Sequence, residues 1–154
     1  MATYESNVYN SPAVRDVRSG LNLAFVKHTF SAAFAASSSD VLKLKKLPKG
    51  VQILPQYCEV VADADPDSGN NATVSLKLTD GTTTKTIIST SNLQAADSRL
   101  VASAANIADL NFFKTSSDDF YVYLAAEAND VDSAAVVYVY LAWLADASGD
   151  ARLT

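Results

Sequence analysis

His28 and Cys58 are the only histidine and the only cysteine in the chain. Nucleophilic chemistry of the Ser-His-Asp or Cys-His type would have to run through them. His28 sits inside an alternating stretch, no Gly-x-Ser-x-Gly elbow is present, and Cys58 belongs to the apolar run VQILPQYCEVVA. A thiol in such a run is expected to be a small buried hydrophobe. One cysteine and one histidine cannot complete a structural zinc site, and a single cysteine allows no intrachain disulfide. No Walker loop or dinucleotide fingerprint occurs, and the neighbours Asp118 and Asp119 read as loop residues, not as a glycosidase pair. The expected catalytic set is empty, and the expected protein is not an enzyme.

Metal chemistry has one candidate. Asp63, Asp65 and Asp67 alternate ahead of Gly69, Asn70 and Asn71, and clustered carboxylates and amides are calcium ligands. The EF-hand pattern fails, because Ser68 stands in the glycine position and Val74 in that of the bidentate glutamate. The segment reads as a solvated acidic loop, with calcium at Asp63, Asp65 and Asp67 as the competing reading and no cofactor expected. Asn71-Ala72-Thr73 matches a glycosylation sequon, but nothing else in the chain indicates secretion.

Binding chemistry is better represented. Lys43, Lys45, Lys46 and Lys49 crowd the stretch VLKLKKLPKG. Such lysines either guard a strand edge against aggregation or form a rim that meets an acidic protein surface. Seven tyrosines and one tryptophan raise a carbohydrate-stacking reading. Most of them alternate on predicted strands, which favours core or subunit interface.

The bulk properties narrow the partners. A chain of 154 residues with 49% hydrophobic and 19% charged residues fits one globular domain with a real core. The net charge of −5 argues against nucleic acid, whose phosphates need a basic face. The start MATYESNVYN lacks a basic n-region and an apolar h-region, so no signal peptide is expected. The longest apolar run, near Ala134 to Ala145, is too short to span a bilayer. The expected place of synthesis is a cytoplasm, and no membrane partner is expected.

The elements that would position these residues are strands. Residues 1–20 show no clean period and read as an extended arm whose Tyr4, Val8, Tyr9 and Val14 need a surface to cover. Residues 21–154 read as one domain. Leu21, Leu23 and Phe25 alternate with Asn22, Ala24 and Val26. Leu42 and Leu44 alternate with Lys43 and Lys45, which predicts a strand with one wet face. Leu47-Pro48-Lys49-Gly50 predicts a type I turn between two strands. Val74, Leu76 and Leu78 predict an inward face, with Ser75 and Lys77 outward, and Asp80-Gly81 a hairpin turn. The Ala-rich stretch from Asn92 to Leu110 predicts one short helix at most, or a long irregular connection. Asn129 to Asp132 would join the last two strands as an antiparallel pair, the second of them apolar or aromatic on both faces and therefore central or at an interface. Seven or eight strands at turn-marked intervals predict an all-β antiparallel sandwich or a barrel, with a jelly-roll sandwich as the favoured layout.

The chain also resembles the small decoration, or cement, proteins of tailed-bacteriophage capsids. The resemblance rests on the Tyr-rich start MATYESNVYNSPAV, the turn KKLPKGVQIL, the Ser/Thr/Ala-rich β body and the closing YVYLAAEANDVDSAAVVYVYLAWL. It implies a jelly roll made in the host cytoplasm that binds the capsid exterior, often as a homotrimer, and bridges subunits of the major capsid protein. Under that reading Tyr4, Val8, Tyr9, Val14, Lys43, Lys45, Lys46 and Lys49 are the expected partner contacts. Many symmetric copies give avidity, so each contact can be modest. The competing readings are a carbohydrate-binding jelly-roll module of a tail or receptor-binding appendage, and a neck or tail component.

Overall fold

Apolar residues at period two drive nearly every element of the computed structural model, which describes residues 1–7, 9, 20–63, 72–93 and 98–144. In chain order the strands are β1 (Thr3–Glu5), β2 (Leu21–Thr29), β3 (Val41–Lys46), β4 (Gln52–Ile53), β5 (Glu59–Ala62), β6 (Thr73–Thr79), β7 (Thr84–Asn92), β8 (Arg99–Val101), β9 (Tyr121–Ala126) and β10 (Val136–Leu144). One helix, α1 (Ala104–Leu110), starts at Ser103, whose hydroxyl accepts from the backbone of Asn106. That is an ordinary N-cap.

The strands form two sheets. The first has the order β1-β3-β9-β6-β7 and the second β2-β10-β5-β8, with β4 pairing the end of β10. Every pairing is antiparallel except β1 on β3. From β2 onward the chain crosses between sheets at most connections. Eight strands interleaved this way, four to a sheet, make a jelly roll. The sandwich of the sequence reading is therefore present, with its one short helix.

Side chains from the two inner faces fill the space between the sheets. Val26, Leu42, Val60, Val74, Leu76, Leu78, Val122, Leu124, Val137 and Val139 are all fully buried. Each contributes roughly 1.5–3 kcal/mol of transfer free energy. The hairpin at Asp80-Gly81 forms as expected. The Asp80 carboxylate accepts from the backbone of Thr82 and Thr83, which lowers its pKa, while Gly81 takes φ +92°.

Several local expectations are corrected. β9 and β10 are not an antiparallel pair, because β9 lies between β3 and β6 while β10 lies between β2 and β5. The Leu47–Gly50 turn likewise crosses from β3 in the first sheet to β4 in the second. A period of two shows that a strand has two faces but not which sheet it joins. The run from Val51 to Ala62, which its apolar residues would make a single strand with Pro55 at a bulge or an edge, is split by a 3₁₀ turn at Pro55–Tyr57 into β4 and β5. A register shift between Lys43 and Lys45 sets Lys45 opposite the inward Val122. Lys45 is therefore buried, not on the wet face. Such a bulge puts two successive side chains on one side of a strand.

Candidate docking surfaces

The outward face of the first sheet gathers tyrosines and charges. Cross-strand register sets Lys43 beside Tyr123 and Lys46 beside Tyr121. On the other side of β9, Lys77 lies opposite Tyr123 and Thr79 opposite Tyr121. The Lys43 ammonium lies 5.0 Å from the centre of the Tyr121 ring and 5.6 Å from that of Tyr9. These two rings meet edge to face at 6.2 Å. Cation–π contact of this kind holds a lysine against aromatics without neutralising it. Burial, with the nearby Glu5 carboxylate, raises the Tyr9 pKa. Beside them Glu127 accepts from Lys77 Nζ at 2.7 Å and from the Ser75 hydroxyl. Burial alone would raise the Glu127 pKa, but these two hydrogen bonds and the lysine charge hold it below its ordinary value.

The four lysines do not form one rim. Lys43 is clamped by rings, and Lys45 is buried, with its pKa lowered by desolvation. Lys46 and Lys49 are exposed. The backbone of Lys46 donates to Tyr9, and that of Lys49 to Asp118. Of the arm residues, Tyr9 covers the outer face of the first sheet. Tyr4 turns inward, against Phe34 at 6.0 Å, His28 at 6.3 Å and Phe30 at 6.5 Å. Val8 and Val14 lie outside the described residues.

Asp40 anchors the arm, and sequence reading passed over it. It is buried, its Oδ1 accepts from Ala2 N at 2.6 Å and its Oδ2 from Ala35 N at 3.0 Å. No pattern marks such a residue, because its partners lie 38 and 5 positions away in the chain.

The outward face of the second sheet is largely apolar over β2 and β10. Leu23 is 72% and Phe25 50% exposed on β2, and Tyr140 is 43% exposed on β10 beside Phe25. Phe25 stacks on Tyr138 at 5.7 Å and tilts against Tyr140 at 5.1 Å. Lys27 lies 5.5 Å over the Tyr138 ring. Sequence reading saw the two sets of alternating residues in β2 but could not say which set faces outward. The structure turns the bulkier set to solvent.

The chemistry candidates are separated. Cys58 is buried, its thiol reaches the carbonyls of Leu54 and Ala142, and burial pushes its pKa up to about 11. His28 touches Phe30 at 4.8 Å, and burial lowers its pKa. Trp143 is buried in the core. Asp63 accepts from the Tyr138 hydroxyl at 2.9 Å, while Asp65 and Asp67 lie outside the described residues. Among the described residues no group of three His, Cys, Asp or Glu side chains is placed to hold a metal, and no helix is long and apolar enough to cross a membrane.

His28 supports a pH prediction. Its folded pKa lies below the ordinary 6.5, so the unfolded chain binds the proton more readily. Stability is then full above that value and declines as pH falls through it. Thermal melts between about pH 7 and pH 5 should show this decline in the native chain and a flatter profile in His28→Phe. Parallel profiles would assign the decline to other groups.

No family model matches the chain, and no curated protein does. Solved structures do. A chain of "Capsid of Ralstonia phage GP4" superposes with a TM-score of 0.71 at 15% identity, over 96% of this chain and all of that one. A chain of "Cyanophage Pam1 capsid asymmetric unit" gives 0.51 at 15% identity over 80% of this chain and 84% of that one. A chain of "Acidic stable capsid structure of Helicobacter pylori bacteriophage KHP30" gives 0.50 at 16% identity over 81% and 87%. The jelly roll of this chain is thus a fold shared with chains found in phage capsid structures.

Proposed function

We propose that the chain is a non-enzymatic structural protein of a phage capsid. The observation that carries this is the end-to-end superposition on a chain of similar extent in a capsid structure. The finer reading places it on the shell exterior as a decoration protein, binding the major capsid protein and bridging its subunits as a homo-oligomer, with a trimer the form the sequence resemblance implies. The exposed Leu23, Phe25 and Tyr140 on one face and the Tyr9–Lys43–Tyr121 cluster on the other support it. Apolar and aromatic patches of this kind serve protein contacts.

The test is co-sedimentation of the purified chain with expanded empty capsids of its virus. Stoichiometric binding is expected, and removing residues 1–20 should abolish it while a folded core remains. Full binding by the truncated chain would remove the arm from the interface. A chain that never sediments with shells would move the assignment to a neck or tail component. The exposed aromatics Tyr57, Phe25 and Tyr140 also keep the carbohydrate-binding reading in play, and a silent glycan array, with and without calcium, would discard it.

A further inference from the structure

Asp40 stands immediately before β3 and is only 3% exposed. Its Oδ1 accepts from Ala2 N at 2.6 Å and its Oδ2 from Ala35 N at 3.0 Å. Among the described residues no lysine or arginine forms an ion pair with it. Aspartate is almost never this deeply buried unless a cation accompanies it. The other charged clusters have their counterparts: Glu127 has Lys77, Asp109 has Lys85, and Glu59 has Arg99.

The nitrogen closest to this carboxylate belongs to the second residue of the chain. β1 runs parallel to β3 with Thr3 opposite Val41, and the Val41 N–H donates to the Ala2 carbonyl. Strand pairing therefore aims the Ala2 nitrogen at Oδ1 whatever group it carries. Met1, which caps that nitrogen, is 82% exposed and adds little packing. A separation of 2.6 Å suits an ammonium on a carboxylate at least as well as an amide. The sequence supplies a route to that ammonium. Ala2 has a small side chain, and methionine aminopeptidases, hydrolases that activate water on a metal, remove methionine ahead of such a residue. Asp40 follows Ala2 by 38 positions, so the bond can be cut on the growing chain before the carboxylate exists to hold it.

We propose that the Met1–Ala2 bond is a processing site, and that Asp40 is the buried seat of the α-ammonium released there. Water adds across the peptide bond and the C–N bond breaks. Free methionine leaves with the hydroxyl on its carbonyl carbon, and the Ala2 nitrogen takes up the protons. A terminal amine is charged at pH 7, so the carboxylate gains its cation and an ion pair locks β1 to the first sheet. Peeling β1 away then leaves Asp40 without that cation, which an amide partner would not impose to the same degree. This lock concerns how the arm is held, not what the arm meets, and it does not depend on the capsid reading.

Intact mass and N-terminal sequencing of the full chain purified from bacteria test the cleavage, and a start at Ala2 is expected. Amide exchange of Thr3 to Glu5 reads the lock. The same sequence made by reconstituted translation without deformylase and aminopeptidase keeps its methionine and has an amide at Ala2. Exchange in that form should be about tenfold faster or more than in the processed form. Asp40→Asn keeps an acceptor oxygen but carries no charge, so in that background the two forms should exchange alike, a cycle that isolates the ion pair. Circular dichroism checks that all four chains fold, and the comparison of the two wild-type forms stands without the variant. A purified chain that keeps Met1 or carries residues ahead of it would overturn the proposal. So would equal exchange in the two wild-type forms, or a difference between forms that persists undiminished in Asp40→Asn.

Discussion

Phe30→Ala should lower the free energy of unfolding by about 3–5 kcal/mol, the cost of emptying a phenylalanine site in a core that cannot collapse to fill it. Phe30 is 1% exposed. It stacks on Phe34 at 4.8 Å and meets the rings of His28 and Tyr4 edge on. It therefore ties three separate pieces together: the end of β2, the arm strand β1, and the loop in which Phe34 bridges to Val131. A small domain has only about 5–15 kcal/mol in total, so this variant should approach the limit of folding. Phe30→Leu keeps most of the volume and should cost about 1.5 kcal/mol or less. Urea titration of the three chains measures both. Coincident midpoints for wild type and Phe30→Ala would show that the cluster is not a packed core.

Asp40→Ala is expected to cost about 2–4 kcal/mol, because the carboxylate accepts from two backbone groups and hydrogen bonds to a charge are worth roughly 1.5–3 kcal/mol each. The effect should be concentrated in the arm. The Ala2 N–H can turn to water, but Ala35 N–H lies in a part-buried loop. β1 would then keep its pairing with β3, the packing of Tyr4 on Phe30 and Phe34, and Ser6, whose backbone and hydroxyl bond to Lys43 and Leu44. Amide exchange of Thr3 to Glu5 should speed up far more than that of β6 or β10. Asp40→Asn keeps one acceptor oxygen and should recover part of the loss. If arm binding to a shell requires β1 in place, Asp40→Ala should also weaken co-sedimentation. Equal protection of β1 in Asp40→Ala and wild type would mean that the arm is held without the Asp40 carboxylate.

Much of the fold was legible from residues in a row. Val74, Leu76 and Leu78 against Ser75 and Lys77 placed β6 and its inward face. Asp80-Gly81 placed the β6–β7 turn, and the Ala-rich stretch allowed at most one short helix. These features depend on neighbours two to four positions apart, the range over which alternation and turn chemistry act. The docking surfaces were less legible. The lysine cluster looked like one wet rim, but a bulge between Lys43 and Lys45 sends Lys45 inside and leaves Lys43 between Tyr9 and Tyr121. A bulge depends on how two strands fit, and neither strand encodes it by itself.

The sequence by itself determined that this is a strand-rich chain with one histidine and one cysteine, because composition and period-two alternation are local properties. Only the tertiary structure decided which face of β2 meets water and which strands lie at the sheet edges. Leu21, Leu23 and Phe25 are as apolar as any core set, yet they face outward, since Asn22, Ala24, Val26 and His28 fill the space against the opposite sheet. Burial belongs to the closed sandwich, where each crossing of the chain assigns a strand to one sheet and one side of it, and that assignment exists only when all the strands are in place.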